Sequence, residues 1–166
     1  MKLEIPDEYF NEEELINTPN RWKRFIQEWT DNNVSLTTFP NPGYDQMITW
    51  IGKDYSMCSH HCLPFILEKV LVAYIPDKKI VGLSKIPRVI SMFSHKPQIQ
   101  ERLTQQIADY LFEKLECHGV LVAIKGRHLC CEMRGQKSKG VMVTTSLKGV
   151  FSISDSAKNE ALKLFY

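Results

Sequence analysis

The chain has 166 residues, and its 43% hydrophobic and 24% charged content is that of one ordinary globular domain. A formal net charge of +2 is too small to indicate a nucleic-acid-binding surface, and the longest apolar runs, such as VLVAYI, are too short to span a bilayer. Five cysteines, an odd number, and an acidic N-terminus without an apolar signal segment predict a reduced, cytoplasmic protein whose thiols are free or bind metal.

The first predicted elements are a loosely attached polar segment over residues 1–17 and a helix that opens a single domain over residues 18–166. Thr18 and Pro19 fit the N-cap and the first position of this helix. Its apolar residues recur with helical spacing and form one stripe: Trp22, Phe25, Ile26 and Trp29.

Two strand patterns follow, at residues 46–57 and 69–76, and the sequence CSHHC at residues 58–62 ends the first or lies in the connection. Two cysteines and two histidines in five positions can bind a metal or act in catalysis, and a disulfide is not expected in a reducing compartment. The alternative is core thiols beside structural histidines, and these five residues alone do not decide.

A second helix is predicted after Ser84, a residue suited to the N-cap. Lys85 and Arg88 lie near its start, where the helix dipole is already positive, so that a bound anion would relieve an unfavourable arrangement. The alternative is a simple surface helix. The apolar face of this helix has helical spacing: Ile86, Val89, Ile90 and Phe93.

A third helix is predicted from Pro97 to a stop at Gly119. Two strand patterns, at residues 119–128 and 140–151, then flank the sequence HLCCEMRG, and a last helix ends the chain. This order of elements predicts an α+β fold with a largely antiparallel sheet and its helices on one face. The apolar positions of the third helix are Ile99, Leu103, Ile107 and Leu111.

Five short motifs now carry a family resemblance: CSHH, GLSKIPRV, PQIQERLTQQI, HLCCEMRG and TTSLKGVF. In this order and at this spacing the chain resembles the GTP cyclohydrolase I family. The resemblance implies the tunnelling fold (T-fold), a four-stranded antiparallel sheet with a helix pair on one face, here with an N-terminal helix in addition. It also implies a homo-oligomer joined sheet edge to sheet edge, a toroidal decamer with active sites between subunits.

The activity that this resemblance implies is hydrolytic opening of the guanine imidazole ring of GTP, which gives formate and 7,8-dihydroneopterin triphosphate. Cys58, His61 and Cys130 match the family's three ligands of a catalytic Zn²⁺, which leaves one coordination position for water. Cys62 and Cys131 are expected to be packing residues, although Cys131 could shift the assignment by one position.

The resemblance also assigns proton transfer and base recognition. His60 and His128 match the family's proton-transfer histidines, a role suited to a group that titrates near neutral pH. Glu101 matches the carboxylate that accepts from two N–H groups of guanine, and Gln100 is expected to contact the base as well.

A set of cationic and polar residues matches the positions that bind the triphosphate in the family. Guanidinium groups suit this task because they donate in pairs to phosphate oxygens. The matching residues are Arg21, Arg24, Ser84, Lys85, Arg88 and Arg134.

Ser59 departs from the family pattern, which is C-E-H-H where this chain has C-S-H-H. A carboxylate is thereby lost beside the predicted ligands. Three outcomes stay open: a slower enzyme with the same reaction, an altered substrate, or a purine- or pterin-binding protein without turnover. A further class with this fold, the nitrile reductases of 7-deazaguanine metabolism, uses a nucleophilic cysteine and NADPH, and the complete zinc set argues against it.

Overall fold

The computed structural model describes residues 6–31 and 33–166, which fall into two compact units divided after residue 32. In the N-terminal unit a short turn at Asp7–Tyr9 precedes helix α1, Glu12–Thr30. The start of α1 corrects the prediction of an N-cap at Thr18, because Asn11 and Glu14 form a reciprocal capping box that begins the helix earlier.

Pro19 therefore lies inside α1 rather than at its first position. The helix runs through the predicted boundary between residues 17 and 18, and that domain boundary stays a prediction. The predicted apolar stripe is present, but Trp22 and Phe25 are 43% and 42% exposed. The rings of Phe25 and Trp29 stack with their centroids 5.9 Å apart.

The second unit contains seven strands and five helices among the described residues. They are, in chain order, β1 Thr38–Pro40, β2 Ile48–Cys58, β3 Pro64–Ile75, β4 Lys79–Val81, α2 Lys85–Ser94, β5 Pro97–Gln98, α3 Gln100–Leu115, β6 Gly119–His128, α4 Leu129–Glu132, β7 Met142–Gly149, α5 Val150–Ile153 and α6 Asp155–Phe165. None of the described helices has the length and apolarity needed to cross a membrane.

The main sheet has the order β5-β2-β3-β6-β7, and its four long strands pair in antiparallel fashion as expected. The fifth member, β5, is a two-residue strand that runs parallel to the end of β2. Strands β1 and β4 form a separate two-stranded ribbon. The predicted α+β fold with a four-stranded antiparallel sheet is thus confirmed, with one short strand added at its edge.

Alternating strand residues build two cores on opposite faces of the sheet, as the two-residue period of a strand requires. On one face, Val70 and Val122 pack with the predicted apolar residues of α2 and with those of α3 except Ile99, which lies before that helix and outside the core. On the other face, Leu71 and Leu121 pack with Phe165 of α6. The helix pair on one face is confirmed, and the C-terminal helices also cover part of the opposite face.

Both predicted boundaries of the third helix are wrong, because Pro97 and Gly119 belong to strands of the sheet. Pro97 begins β5 instead of a helix, and α3 starts at Gln100. Helix α3 ends at Leu115, and Gly119 is the first residue of β6. A Cβ atom at Gly119 would lie 2.8 Å from the Lys148 carbonyl oxygen, so the glycine serves close strand pairing and not a helix stop.

Candidate metal centre and active site

The first part of the site is the tight turn that joins β2 to β3. The Cys62 N–H donates to the Cys58 carbonyl oxygen and the Cys58 N–H to the Leu63 carbonyl oxygen, both at 2.9 Å. Cys62 takes a left-handed conformation with φ of 52°, which lets the chain turn back. Cys58 is buried at the end of β2, and His61 is exposed at the turn.

The second part is helix α4, a single turn that directly follows β6. His128 ends β6, and Cys130 lies in the helix. The sheet register brings α4 to the β2–β3 connection at residues 59–63, here called the metal loop, because Phe65 of β3 pairs with His128 while Pro64 pairs with Met57.

Cys58, His61 and Cys130 converge with one ligand atom each, all within 4.8 Å of one another. The Cys58 Sγ atom lies 3.5 Å from His61 Nδ1. Two ligands of one tetrahedral zinc, with bonds of ~2.3 Å to sulfur and ~2.0 Å to nitrogen, are separated by roughly 3.5 Å, so the geometry fits such an ion.

The pKa of the Cys130 thiol reflects the crowding of sulfur atoms at this group. Burial, together with the neighbouring thiols of Cys58 and Cys131, raises the pKa of the Cys130 thiol to about 11. A divalent cation between the sulfur atoms would favour both thiolates. The exposed Cys131 lies outside the three-residue group, and so does Cys62.

His128 is held by a stacking contact and a hydrogen bond. Its ring stacks on buried Phe65 with the centroids 4.6 Å apart and the planes inclined by 10°. Its Nε2 atom lies 2.9 Å from the Oε1 atom of Gln100. Burial lowers the pKa of the imidazole, and the negative charge of nearby Glu101 acts in the opposite direction.

The GTP cyclohydrolase I family model matches residues 1–166, the whole chain. The chain belongs to the GTP cyclohydrolase I family. It is 41% identical to the GTP cyclohydrolase 1 of Campylobacter jejuni over 98% of this chain and 89% of the relative. It is 46% identical to that of Aquifex aeolicus over 92% and 84% of the two chains, and 43% identical to that of Finegoldia magna over 99% and 92%.

A solved structure, the apo form of the archaeosine synthase QueF-Like, matches with a TM-score of 0.45 and 15% identity. The match covers 60% of this chain and 92% of that chain, a similarity too low to bear on fold or function.

The structure of this family member brings some predicted residues together and leaves others apart. Glu101 lies in the first turn of α3 beside His128, and His60 is exposed with its ring centroid 6.3 Å from that of His61. Among the described residues, no hydrogen bond or ion pair joins the metal group to the remaining predicted residues of the second unit: Ser84, Lys85, Arg88 and Arg134.

Arg21 and Arg24 lie on α1 in the N-terminal unit, and both are exposed. Arg21 forms an ion pair with Glu13. Ser84 precedes α2 as predicted, but its side chain makes no capping hydrogen bond.

Sequence reasoning missed the role of Gln98, which fastens the metal loop to α3. Its carbonyl oxygen accepts from the Ser59 N–H at 2.9 Å. Its buried carboxamide donates to Gln106 at 2.8 Å and accepts from the Arg102 Nε–H at 2.7 Å. The position of Gln98, two residues before the predicted base-binding residue Gln100, is the feature of the sequence that could have indicated this role.

Proposed function

We propose that this family member is a zinc-dependent hydrolase that opens the guanine imidazole ring of GTP and releases formate and 7,8-dihydroneopterin triphosphate. The main support is that the ligand atoms of Cys58, His61 and Cys130 lie within 4.8 Å of one another in a chain of the GTP cyclohydrolase I family. The curated relatives are named GTP cyclohydrolase 1 and match nearly the whole chain.

The chain's own residues divide the chemistry between them. Cys58, His61 and Cys130 would hold the zinc ion, which when bound would supply Lewis-acid chemistry and a nucleophile from water at neutral pH. His60, exposed beside the metal loop, and His128, stacked on Phe65, move protons between solvent, the purine ring and the sugar.

Substrate recognition is divided between the two ends of GTP. The Glu101 carboxylate is exposed at the start of α3 beside His128, and it accepts from two N–H groups of guanine. Adenine cannot offer the same pair, and a polar group left unsatisfied once the bound base has excluded water costs about 1–3 kcal/mol. The triphosphate is bound by the cationic set: Arg21, Arg24, Ser84, Lys85, Arg88 and Arg134.

The active form is a homo-oligomer, a toroidal decamer with its sites between subunits. Two open sheet edges support this assembly: within residues 6–31 and 33–166, β7 pairs with β6 alone, and β2 has a second neighbour only at Met57 and Cys58. Joining these edges would satisfy their backbone groups and remove a surface prone to aggregation. A monomer in sedimentation at micromolar concentration would contradict the assembly. A cytoplasmic location is consistent with five described cysteines that form no disulfide.

The test is incubation of the purified protein with GTP, with formate and the oxidised, fluorescent pterin measured together and zinc measured by elemental analysis. One zinc per subunit and equal amounts of the two products are expected. Formate without a pterin would show that the ring opens but the sugar does not rearrange. A metal-free protein that reduces a nitrile with NADPH would contradict the proposal.

Ser59 sets the alternative, an altered-substrate or non-catalytic purine- or pterin-binding member of the same fold. It stands between a predicted ligand and a predicted proton donor, where the family has glutamate. If the serine only weakens the hydrolase, Ser59→Glu should raise the rate of formate release by ~10–100-fold, the usual effect of one outer-shell contact at a metal site.

The matched control is Ser156→Glu, the same change at an exposed position of α6, which should leave the rate unchanged. If the substrate is altered, Ser59→Glu should lower activity on that purine and raise activity on GTP. If neither the wild-type protein nor the variant releases formate from GTP, dGTP or related purines when loaded with zinc, the remaining alternative is the non-catalytic purine- or pterin-binding protein.

A further inference from the structure

The Gln100 side chain is almost completely buried, and protein partners use its whole carboxamide. It is 1% exposed at the first position of α3. The two hydrogens of its Nε2 group are shared among three acceptors, the carbonyl oxygens of Ile124 at 3.1 Å and Met142 at 3.0 Å and Thr144 Oγ1 at 3.1 Å. Its Oε1 atom faces His128 Nε2 at 2.9 Å.

These partners fix the orientation of the amide. A flipped carboxamide would point its oxygen at the carbonyl oxygens of Ile124 and Met142, which can only accept hydrogen bonds. The oxygen of Gln100 must therefore face His128, and because it can only accept, the Nε2 atom of the imidazole must carry the hydrogen.

We propose that Gln100 is a positioning residue that keeps a hydrogen on His128 Nε2 and fixes the rotation of the ring, so that Nδ1 is the ring atom presented to the substrate. This inference rests on the proposed function, because GTP is the substrate only if that function holds. The position of the hydrogen on His128 does not depend on turnover. Phe65 completes the arrangement, because stacking at 10° fixes the plane of the ring while the hydrogen bond fixes its rotation within that plane.

Gly126 gives independent support, because it provides the space in which the two side chains meet. It lies two residues before His128 on β6 and therefore on the same face of the sheet. A Cβ atom there would lie 2.1 Å from Gln100 Oε1 and 3.5 Å from His128 Nε2. The backbone of Gly126 is not left-handed, so alanine is tolerated by the strand and would displace mainly the Gln100 carbonyl.

The first experiment compares Gln100→Met and Gly126→Ala with the wild-type protein in steady-state turnover of GTP. Both variants should lower kcat by ~10–100-fold, the usual effect of losing an outer-shell partner, with KM changed less than about twofold. The matched controls are Gln105→Met, an exposed position of α3, and Gly140→Ala, where an added Cβ atom meets nothing within 4 Å. Both controls should behave as wild type.

The second experiment reads the tautomer directly and does not require activity. Solid-state ¹⁵N spectra of the histidine-labelled full chain, which has five histidines, are assigned for His128 by difference from His128→Asn. The wild-type signal should show hydrogen on Nε2 only, and Gln100→Met and Gly126→Ala should both show a mixture of tautomers. This wild-type measurement stands even if a variant does not fold.

Three outcomes would overturn the inference. One is a wild-type His128 with hydrogen on Nδ1. Another is a raised KM with unchanged kcat in Gln100→Met, which would show that Gln100 binds the purine instead. The third is unchanged kcat and KM in both variants. If the wild-type protein releases no formate while the ring signal is as expected, the proposed function fails and the positioning by Gln100 survives.

Discussion

Replacing Asp54 by alanine should destabilise the second unit by about 3–5 kcal/mol, because this carboxylate fastens the end of α2 to the sheet. Asp54 accepts from Ser91 Oγ at 3.1 Å, Ser94 Oγ at 2.8 Å and His95 Nε2 at 2.9 Å, and its side chain is 9% exposed. The His95 ring also stacks on Tyr55, with the centroids 4.9 Å apart.

The magnitude follows from these three contacts with α2 and His95, since the fourth, from the adjacent Tyr55 N–H at 2.8 Å, is local to β2. A hydrogen bond to a charged group contributes about 1.5–3 kcal/mol, so three of them set an upper range of ~4.5–9 kcal/mol. The alanine variant no longer desolvates a carboxylate, and the two serine hydroxyls can rotate to other acceptors, which reduces the net loss to about 3–5 kcal/mol.

Urea unfolding at a fixed protein concentration measures this loss. With a slope of about 2 kcal/mol per molar, the midpoint should fall by roughly 1.5–2.5 M. Asp54→Asn keeps the shape of the side chain and one acceptor oxygen, so its midpoint should fall by less. The control Asp45→Ala, at an exposed position, should change the midpoint little. A loss below about 1 kcal/mol in Asp54→Ala would show that the network is not stabilising and would refute this reasoning.

Three further changes test the site and the fold. Cys130→Ser should lose bound zinc while Cys131→Ser retains one equivalent by elemental analysis, and the reverse result would move the ligand by one position. Burial raises the pKa of the Cys117 thiol from 9.0 to about 11, so its contribution to stability should be constant below pH 9 and fall by up to about 2.7 kcal/mol towards pH 11. In urea titrations the fall should be smaller by this amount in Cys117→Ala, the rest coming from groups such as the Cys130 thiol, whose pKa is also raised. Gly149→Ala should lower the melting temperature strongly, because the residue has a φ of 57° and its Cβ atom would lie 2.2 Å from the His118 carbonyl oxygen; an unchanged value would contradict that geometry.

The regular elements could be predicted because their signals are local. The helical spacing of Ile86, Val89 and Ile90 identified α2, and all three residues are buried. The strand pattern at residues 119–128 matches β6 residue for residue. In each case the burial of one face follows from the period of the chain itself.

The wrong boundaries had a different cause, since two local signals competed for the same residues. Thr18 and Pro19 resemble a helix start, but the capping box of Asn11 and Glu14 lies upstream on a sequence that is also helical. Pro97 resembles a helix start as well, yet it pairs with the end of β2, a contact between residues far apart in the chain. Nothing in the local pattern reports such a contact.

The candidate site shows the same division between residue type and contact. Cysteine and histidine at Cys58, His61 and Cys130 could be identified as ligands by resemblance, because the chemistry of a metal site restricts the residue types. Gln100 was expected to contact the guanine base, and that contact stays a prediction. Its hydrogen bond to His128 spans α3 and β6, and the signal for it, the small residue Gly126, has meaning only once the two elements are placed together.

The register of three strands explains how distant segments become one site. Met57 pairs with Pro64 and Phe65 pairs with His128, so the end of β2, the start of β3 and the end of β6 meet at the same end of the sheet's strands. A slip of one residue would move every side chain of the shifted strand to the opposite face. The buried apolar residues on both faces of β3 and β6 oppose such a slip, because it would exchange the two cores. The burial that stabilises the sheet therefore also sets the position of Cys58, Cys130 and the ring of His128, so the ligand geometry is a property of the folded core.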